Sequence, residues 1–190
     1  MDLLLQCAKN YEKLLDFSYH FVIARKGIKK EFSLTFQKSD FHHVAGLHKL
    51  RDIFAAQRGS REELFNDILN GSITQALIEK SEFYADVTAR LEPLCHLEEF
   101  LDSNQLIFKY NENVRIYSQI KAEYLLEGIL DAHTLYLFLG SREKLEEKQM
   151  CRTFFPKTTI DYSCGQPRYT LLKKEKIRIS DGTVVYSYSK

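Results

Sequence analysis

Leu4, Leu5, Ala8, Tyr11, Leu14 and Leu15 recur at helical spacing, which predicts an amphipathic helix over residues 2–16. The period then changes. Residues 17–25 are aromatic and β-branched, and residues 30–37 alternate polar with apolar, with Gly27 between them. Together they predict a β-hairpin. Ser60-Arg61-Glu62-Glu63 is a capping box that starts a helix running to about Asn70, with Gly71 as its C-cap. Further helices are predicted over 73–80 and 86–101, the second interrupted near Pro93. Asp102-Ser103-Asn104 is a turn. Beyond it the pattern is mostly β: 105–110, 121–130, 132–139, and 150–155 stopped by Pro156. The charged stretch 140–148 reads as a loop or short helix, and 157–168 as a loop. Residues 169–179 and 183–188 form a hairpin across Ser180-Asp181-Gly182. Helices gather in the first half and strands in the second. The expectation is one α+β domain over 1–190: an N-terminal helix and hairpin, a helical middle, and a C-terminal, mainly antiparallel β-sheet.

Composition alters this little. Of 190 residues, 44% are hydrophobic and 28% charged, which is ordinary for a folded domain and excludes global disorder. No apolar run reaches the ~20 residues that a membrane helix needs, so no membrane partner is expected. The first residues, Met1-Asp2-Leu3-Leu4-Leu5, lack the basic and apolar regions of a signal peptide. Cys7, Cys95, Cys151 and Cys164 have no metal-site spacing, so they read as reduced thiols and the expected location is cytoplasmic.

Charge adds more. The net charge of +1 hides a strong asymmetry: residues 20–61 carry +6, residues 62–149 carry −9, and residues 150–190 carry +5. If the two basic segments fold together, they make a positive face that attracts phosphate backbones. The alternative is that these lysines are solvated or guard sheet edges.

The densest chemistry lies in Asp40-Phe41-His42-His43-Val44-Ala45-Gly46-Leu47-His48-Lys49-Leu50-Arg51, which holds three of the six histidines. A metal site fits poorly. His43 and His48 are five apart rather than four, there is no HExxH, and no carboxylate has ligand spacing, so no metal or cofactor is expected. A structural role, with one histidine packed and the others solvated, remains open. The third reading is acid–base catalysis on a phosphodiester. His43 gives or takes a proton near neutral pH, and Lys49 and Arg51 hold the phosphate and its developing charge. RNA supplies its own nucleophile, the 2′-hydroxyl. In a second stretch, Arg152-Thr153-Phe154-Phe155-Pro156-Lys157-Thr158-Thr159, a strand ends at a proline and a cation and two hydroxyls follow at once: either a corner suited to phosphate or a plain strand end with turn residues.

These residues also carry a resemblance. Phe41-His42-His43-Val44-Ala45-Gly46-Leu47 resembles the Phe-x-His-Leu-Thr-Gly-Leu signature of a phage-associated branch of the barnase–EndoU–colicin–RelE-like nuclease superfamily. Phe155-Pro156-Lys157-Thr158 is similar to its later Pro-x-Ser/Thr corner, and the element order matches along nearly the whole chain. His43 falls at the family histidine, while Val44 and Ala45 stand where Leu and Thr are expected. The resemblance implies a metal-independent ribonuclease fold of prophage or toxin-like origin. Only His43 is carried over from the family histidine, and His42 and His48 are not; with the reading of the residues above, the expected arrangement is catalytic His43 with Lys49 and Arg51, and substrate-binding His48, Arg152, Lys157 and Thr158 across a cleft. RNA is the expected partner, with a neutralising protein or a second copy of the chain as further partners. The rival expectation is a non-catalytic nucleic-acid or protein-binding module on the same fold.

Overall fold

The computed structural model describes residues 2–114 and 118–190, apart from the side chain of Glu146. Helix α1 (Leu3–Leu14) starts at Asp2, whose carboxylate accepts from Leu5 N at 2.9 Å. Its buried face is the predicted one: Leu4, Cys7, Ala8, Tyr11 and Leu14. Strands β1 (Phe17–Arg25) and β2 (Ile28–Thr35) form the predicted hairpin. Short helices α2 (Phe41–Val44) and α3 (Phe54–Gln57) follow, then α4 (Arg61–Leu69), α5 (Gln75–Ile78), α6 (Ala85–Leu94) and α7 (Leu97–Asp102). In α4 the capping box forms as its sequence requires: Ser60 N donates to Glu63 at 2.7 Å, and Glu63 N donates to Ser60 Oγ at 3.1 Å. Pro93 sits in the last turn of α6, and the chain restarts as α7.

The sheet comprises β1, β2, β3 (Leu106–Lys109), β4 (Tyr124–Leu130), β5 (His133–Arg142), β6 (Leu145–Pro156), β7 (Arg168–Arg178) and β8 (Val184–Ser189). Its order is β1-β2-β6-β5-β4-β3-β7-β8, and β7 also pairs along β1, so the first seven close into a barrel with β8 attached outside. Closure removes the free edges that an open sheet would expose. The α+β class and the dominance of antiparallel pairing agree with the sequence. The closure, and the short parallel pairing of β2 with β6 at Ser33–Lys148 and Leu34–Gln149, do not follow from it.

Alternation along the strands splits the apolar side chains between two faces. Leu135, Leu137 and Leu139 join the main core with α1, α4 and α6, whereas Tyr136 and Phe138 form a second cluster with Phe108, Tyr110 and Leu125. Ile120, Phe155 and Tyr162 cover that cluster. Stacked rings tie the hairpin to the rest of the barrel: Phe21 lies 4.9 Å from Phe32, and Phe32 lies 4.5 Å from Tyr124. All four cysteines are free thiols, and among the described residues no helix is long and apolar enough to cross a membrane.

One expectation is corrected. Residues 140–148 are neither loop nor helix: β5 and β6 run through them and are joined by the two-residue turn Glu143-Lys144. Both turn residues are left-handed, at φ 55° and 61°, and so are Asp131 and Ala132 between β4 and β5, at 47° and 65°. Such turns ordinarily announce themselves with Asn or Gly, and these carry neither. The basic segments do meet, through the β1–β7 pairing, where part of their charge is matched. Lys176 donates to Glu98 at 2.6 Å and to Asp102 at 3.0 Å. Lys174 is fully buried and donates to the carbonyls of Leu101 and Ser103 at the end of α7, and its burial pushes its pKa down to about 8. Acids of the middle segment pair with Lys176, and its carbonyls solvate Lys174. The strained turn gives a test: Ala132→Gly should raise stability by ~1 kcal/mol in urea unfolding, because glycine accepts the left-handed backbone without a Cβ clash. A loss of stability would show that the turn is not strained.

Candidate active site

The histidine segment is held at both ends. At its start, Asp40 is 2% exposed and accepts from Gln37 N at 3.0 Å and from Arg142 Nη2 at 2.5 Å. Burial pushes its carboxyl up, and Arg142 pulls it back. Arg142 also donates to the Thr35 carbonyl at 3.2 Å, so one guanidinium fastens the segment to the ends of β2 and β5. Past α2, Gly46 takes φ 78° and turns the chain back through a 3₁₀ turn, Leu47–Lys49. The reversal brings His48 against the two histidines before it. Ring centroids lie 5.3 Å apart for His42–His43, 5.9 Å for His42–His48 and 4.9 Å for His43–His48.

These imidazoles are held neutral. Burial lowers His42 to about 4, with His48 and Arg61 adding to the effect. Burial likewise lowers His43 to about 4, followed by the charge of Arg61. His48 is lowered by burial and by Arg90 and Lys49, while the backbone of His42 opposes the shift. His42 is 9% exposed, and its Nδ1 has no hydrogen-bond partner among the described residues. His43 and His48 open onto a cleft of about 780 Å³ between the histidine segment, α6 and β6.

Five of the seven residues expected at the site line this cleft: His43, His48 and Lys49 on one wall, and Arg152 and Thr158 on the other. Burial and the nearby Arg90 push Lys49 below its ordinary value. Arg51 is exposed on the turn beyond Lys49 and is not among the lining residues. Lys157 is absent from the lining too. It donates to Asp161 at 2.7 Å, which raises its pKa, and lies 5.8 Å from the Tyr136 ring centroid. The pair braces the loop that brings Tyr162 to the cleft, with Asp161 also accepting from Ser163 and Cys164.

No sequence pattern marks Arg90 as a site residue. It lies on α6, in the acidic middle of the chain, yet its side chain is half-buried and lines the cleft. Its Nη1 donates to Thr153 Oγ1 at 2.6 Å, and its guanidinium lies 5.0 Å from the Phe155 ring centroid. A Cβ on Gly46 would come within 2.9 Å of Arg90 Cδ, so Gly46 supplies both the turn and the space for this arginine. Lys121 lines the cleft as well, and Asp86 is the one carboxylate among its described lining residues. The result is a pocket of cations around neutral imidazoles. It can bind an anion and accept a proton beside it. Among the described residues no group of three or more His, Cys, Asp or Glu side chains is placed to hold a metal ion.

The low histidine values have a thermodynamic consequence. Between about pH 4 and pH 6.5 an unfolded histidine is protonated while His42 in the folded chain is not. The unfolded state binds more protons there, so stability falls as pH drops through that window. His42→Gln should reduce the loss measured by urea unfolding at pH 7 and pH 4.5. An unchanged pH dependence would mean that His42 titrates normally when folded.

A family model described as phage-Barnase-EndoU-ColicinE5/D-RelE like nuclease4 matches residues 3–190. A search of curated proteins and a search of solved structures give no match. The matched span contains the histidine turn, α6 and the entire barrel, and on that span the chain belongs to the phage-Barnase-EndoU-ColicinE5/D-RelE like nuclease4 family.

Proposed function

We propose that this nuclease-family protein cuts RNA without a metal, using the ribose 2′-hydroxyl as nucleophile. The observation that carries the reading is geometric: His43, Lys49, Arg90 and Arg152 line one cleft, where burial and nearby cations favour the neutral form of His43. The low pKa leaves a ring nitrogen of His43 free to accept a proton at neutral pH, although it also makes the imidazole a weaker base than one titrating near 7. His43 takes the proton of the 2′-hydroxyl, and that oxygen attacks the adjacent phosphorus. The bond from phosphorus to the 5′-oxygen breaks, leaving a 2′,3′-cyclic phosphate and a 5′-hydroxyl. Arg90 and Arg152 stabilise the charge that builds on the phosphoryl oxygens. Lys49, with its pKa pulled down, gives a proton to the departing 5′-oxygen. His48 closes the wall beside His43, and Thr158 contacts the strand from the opposite side. Membership of a phage-associated nuclease family supports a prophage or toxin-like setting, in which the RNA is cytoplasmic and a protein inhibitor is the natural partner.

The test is RNA cleavage in EDTA by wild type and by His43→Ala. Wild type should cleave, and the variant should lose about 10²–10⁴-fold in rate. The acid limb of the wild-type pH profile should fall near pH 4 rather than near 6.5, since the base stays unprotonated until then. Equal cleavage by the variant would remove His43 from the mechanism. Cleavage only with added metal would refute the metal-free route. RNA binding without cleavage would establish the binding-module alternative.

A further inference from the structure

A second cleft, of about 770 Å³, adjoins the first and lies between the segment following β3 and the β5–β6 turn. Both clefts fall in the size range that holds a nucleotide-sized ligand. They are not separate: Arg152 and Lys121 line both. Arg152 reaches this shared position because β5 carries a glycine beneath it. A Cβ on Gly140 would overlap the Arg152 side chain from Cγ to Nε, so only glycine lets the arginine lie across the strand between the clefts. Lys144 stands at the far rim, on the two-residue turn whose left-handed backbone carries it out of the sheet.

The second cleft has a firm wall. Gln166 clamps Asn111 twice, accepting from Asn111 N at 2.8 Å and donating to the Asn111 carbonyl at 3.1 Å. Its charge is mixed but leans positive. Lys109, Lys121, Lys144 and Arg152 face Glu112 and Glu123, and Glu123 is already bonded to Lys109 at 2.5 Å. That leaves cations spaced from one cleft to the other, with polar groups of Asn111 and Asn113 between them. Spaced cations beside hydrogen-bonding groups suit a strand with one phosphate per nucleotide.

We propose that the second cleft is a subsite for the nucleotides flanking the scissile bond, with Arg152 as the phosphate contact common to both clefts. The inference rests on the ribonuclease reading and deepens it: the substrate is a single strand of several nucleotides running from the histidines across Arg152 to Lys144. The protein then selects for chain length, through contacts remote from the chemistry.

The experiment measures kcat/KM in EDTA on a ribodinucleotide and on a six-nucleotide RNA, together with the affinity of the hexamer by fluorescence anisotropy. Wild type should prefer the hexamer by about tenfold or more. Lys144→Glu should shrink that preference several-fold, chiefly through KM, and should weaken hexamer binding with a shallower salt dependence. Equal use of both lengths by wild type, or a length preference untouched by Lys144→Glu, overturns the subsite and leaves the ribonuclease reading intact. If neither length is cleaved, the ribonuclease reading fails and anisotropy decides alone. Weaker hexamer binding by Lys144→Glu then supports the subsite, and unchanged binding refutes it.

Discussion

The buried pair of Asp40 and Arg142 is the contact on which the site depends. Its two residues are 102 apart in sequence and join at 2.5 Å, with the carboxylate almost wholly excluded from water. A pair so placed adds little stability compared with a well-packed apolar one, but losing either partner strands a buried charge at a cost of roughly 3–5 kcal/mol. It therefore acts as a positional lock. It fixes the start of the histidine segment to the strand ends, and the turn at Gly46 then determines where His43 and His48 must lie. Without the lock, the histidines would sit on a mobile connection between a hairpin and a helix.

The cleft's electrostatics follow from two layers of packing. Histidines pressed against the helical side lose solvation, and neighbouring arginines penalise their protonated forms, so both effects push the same way. Cations are easily accommodated around imidazoles that remain uncharged. Arg90 shows how one is held: Thr153 accepts from one of its N–H groups, and its guanidinium carbon lies over the Phe155 ring. On β7, by contrast, Lys174 is held by carbonyl groups and Lys176 by Glu98 and Asp102. In the cleft, Lys49, Arg90, Lys121 and Arg152 share a lining whose one carboxylate among the described residues is Asp86.

The local features could be read directly from the chain. The capping box at Ser60, the amphipathic face of α1 and the Gly27 hairpin depend on residues within a few positions of one another, and each forms as expected. His43, His48 and Lys49 could be found for the same reason, because three histidines in one short segment stand out by density alone. What could not be read depends on distant partners or on missing punctuation. Arg90 belongs to the cleft only because Gly46, some forty residues earlier, leaves it room. Arg51 and Lys157 looked equivalent to their neighbours in sequence, but a turn and an acidic partner direct them elsewhere. The turn at Glu143-Lys144 has no glycine or asparagine to announce it, and barrel closure requires β1 to meet β7 from the opposite end of the chain.

The central claim is that the RNA's own 2′-hydroxyl attacks the phosphorus while His43 takes its proton. Mass spectrometry of the ends produced in EDTA, from a defined RNA and from the same RNA with one 2′-deoxy nucleotide at the cleaved position, tests this directly. The account predicts a 2′,3′-cyclic phosphate and a 5′-hydroxyl from the first and no cut at that position in the second. Cleavage of the deoxy-substituted bond would contradict it.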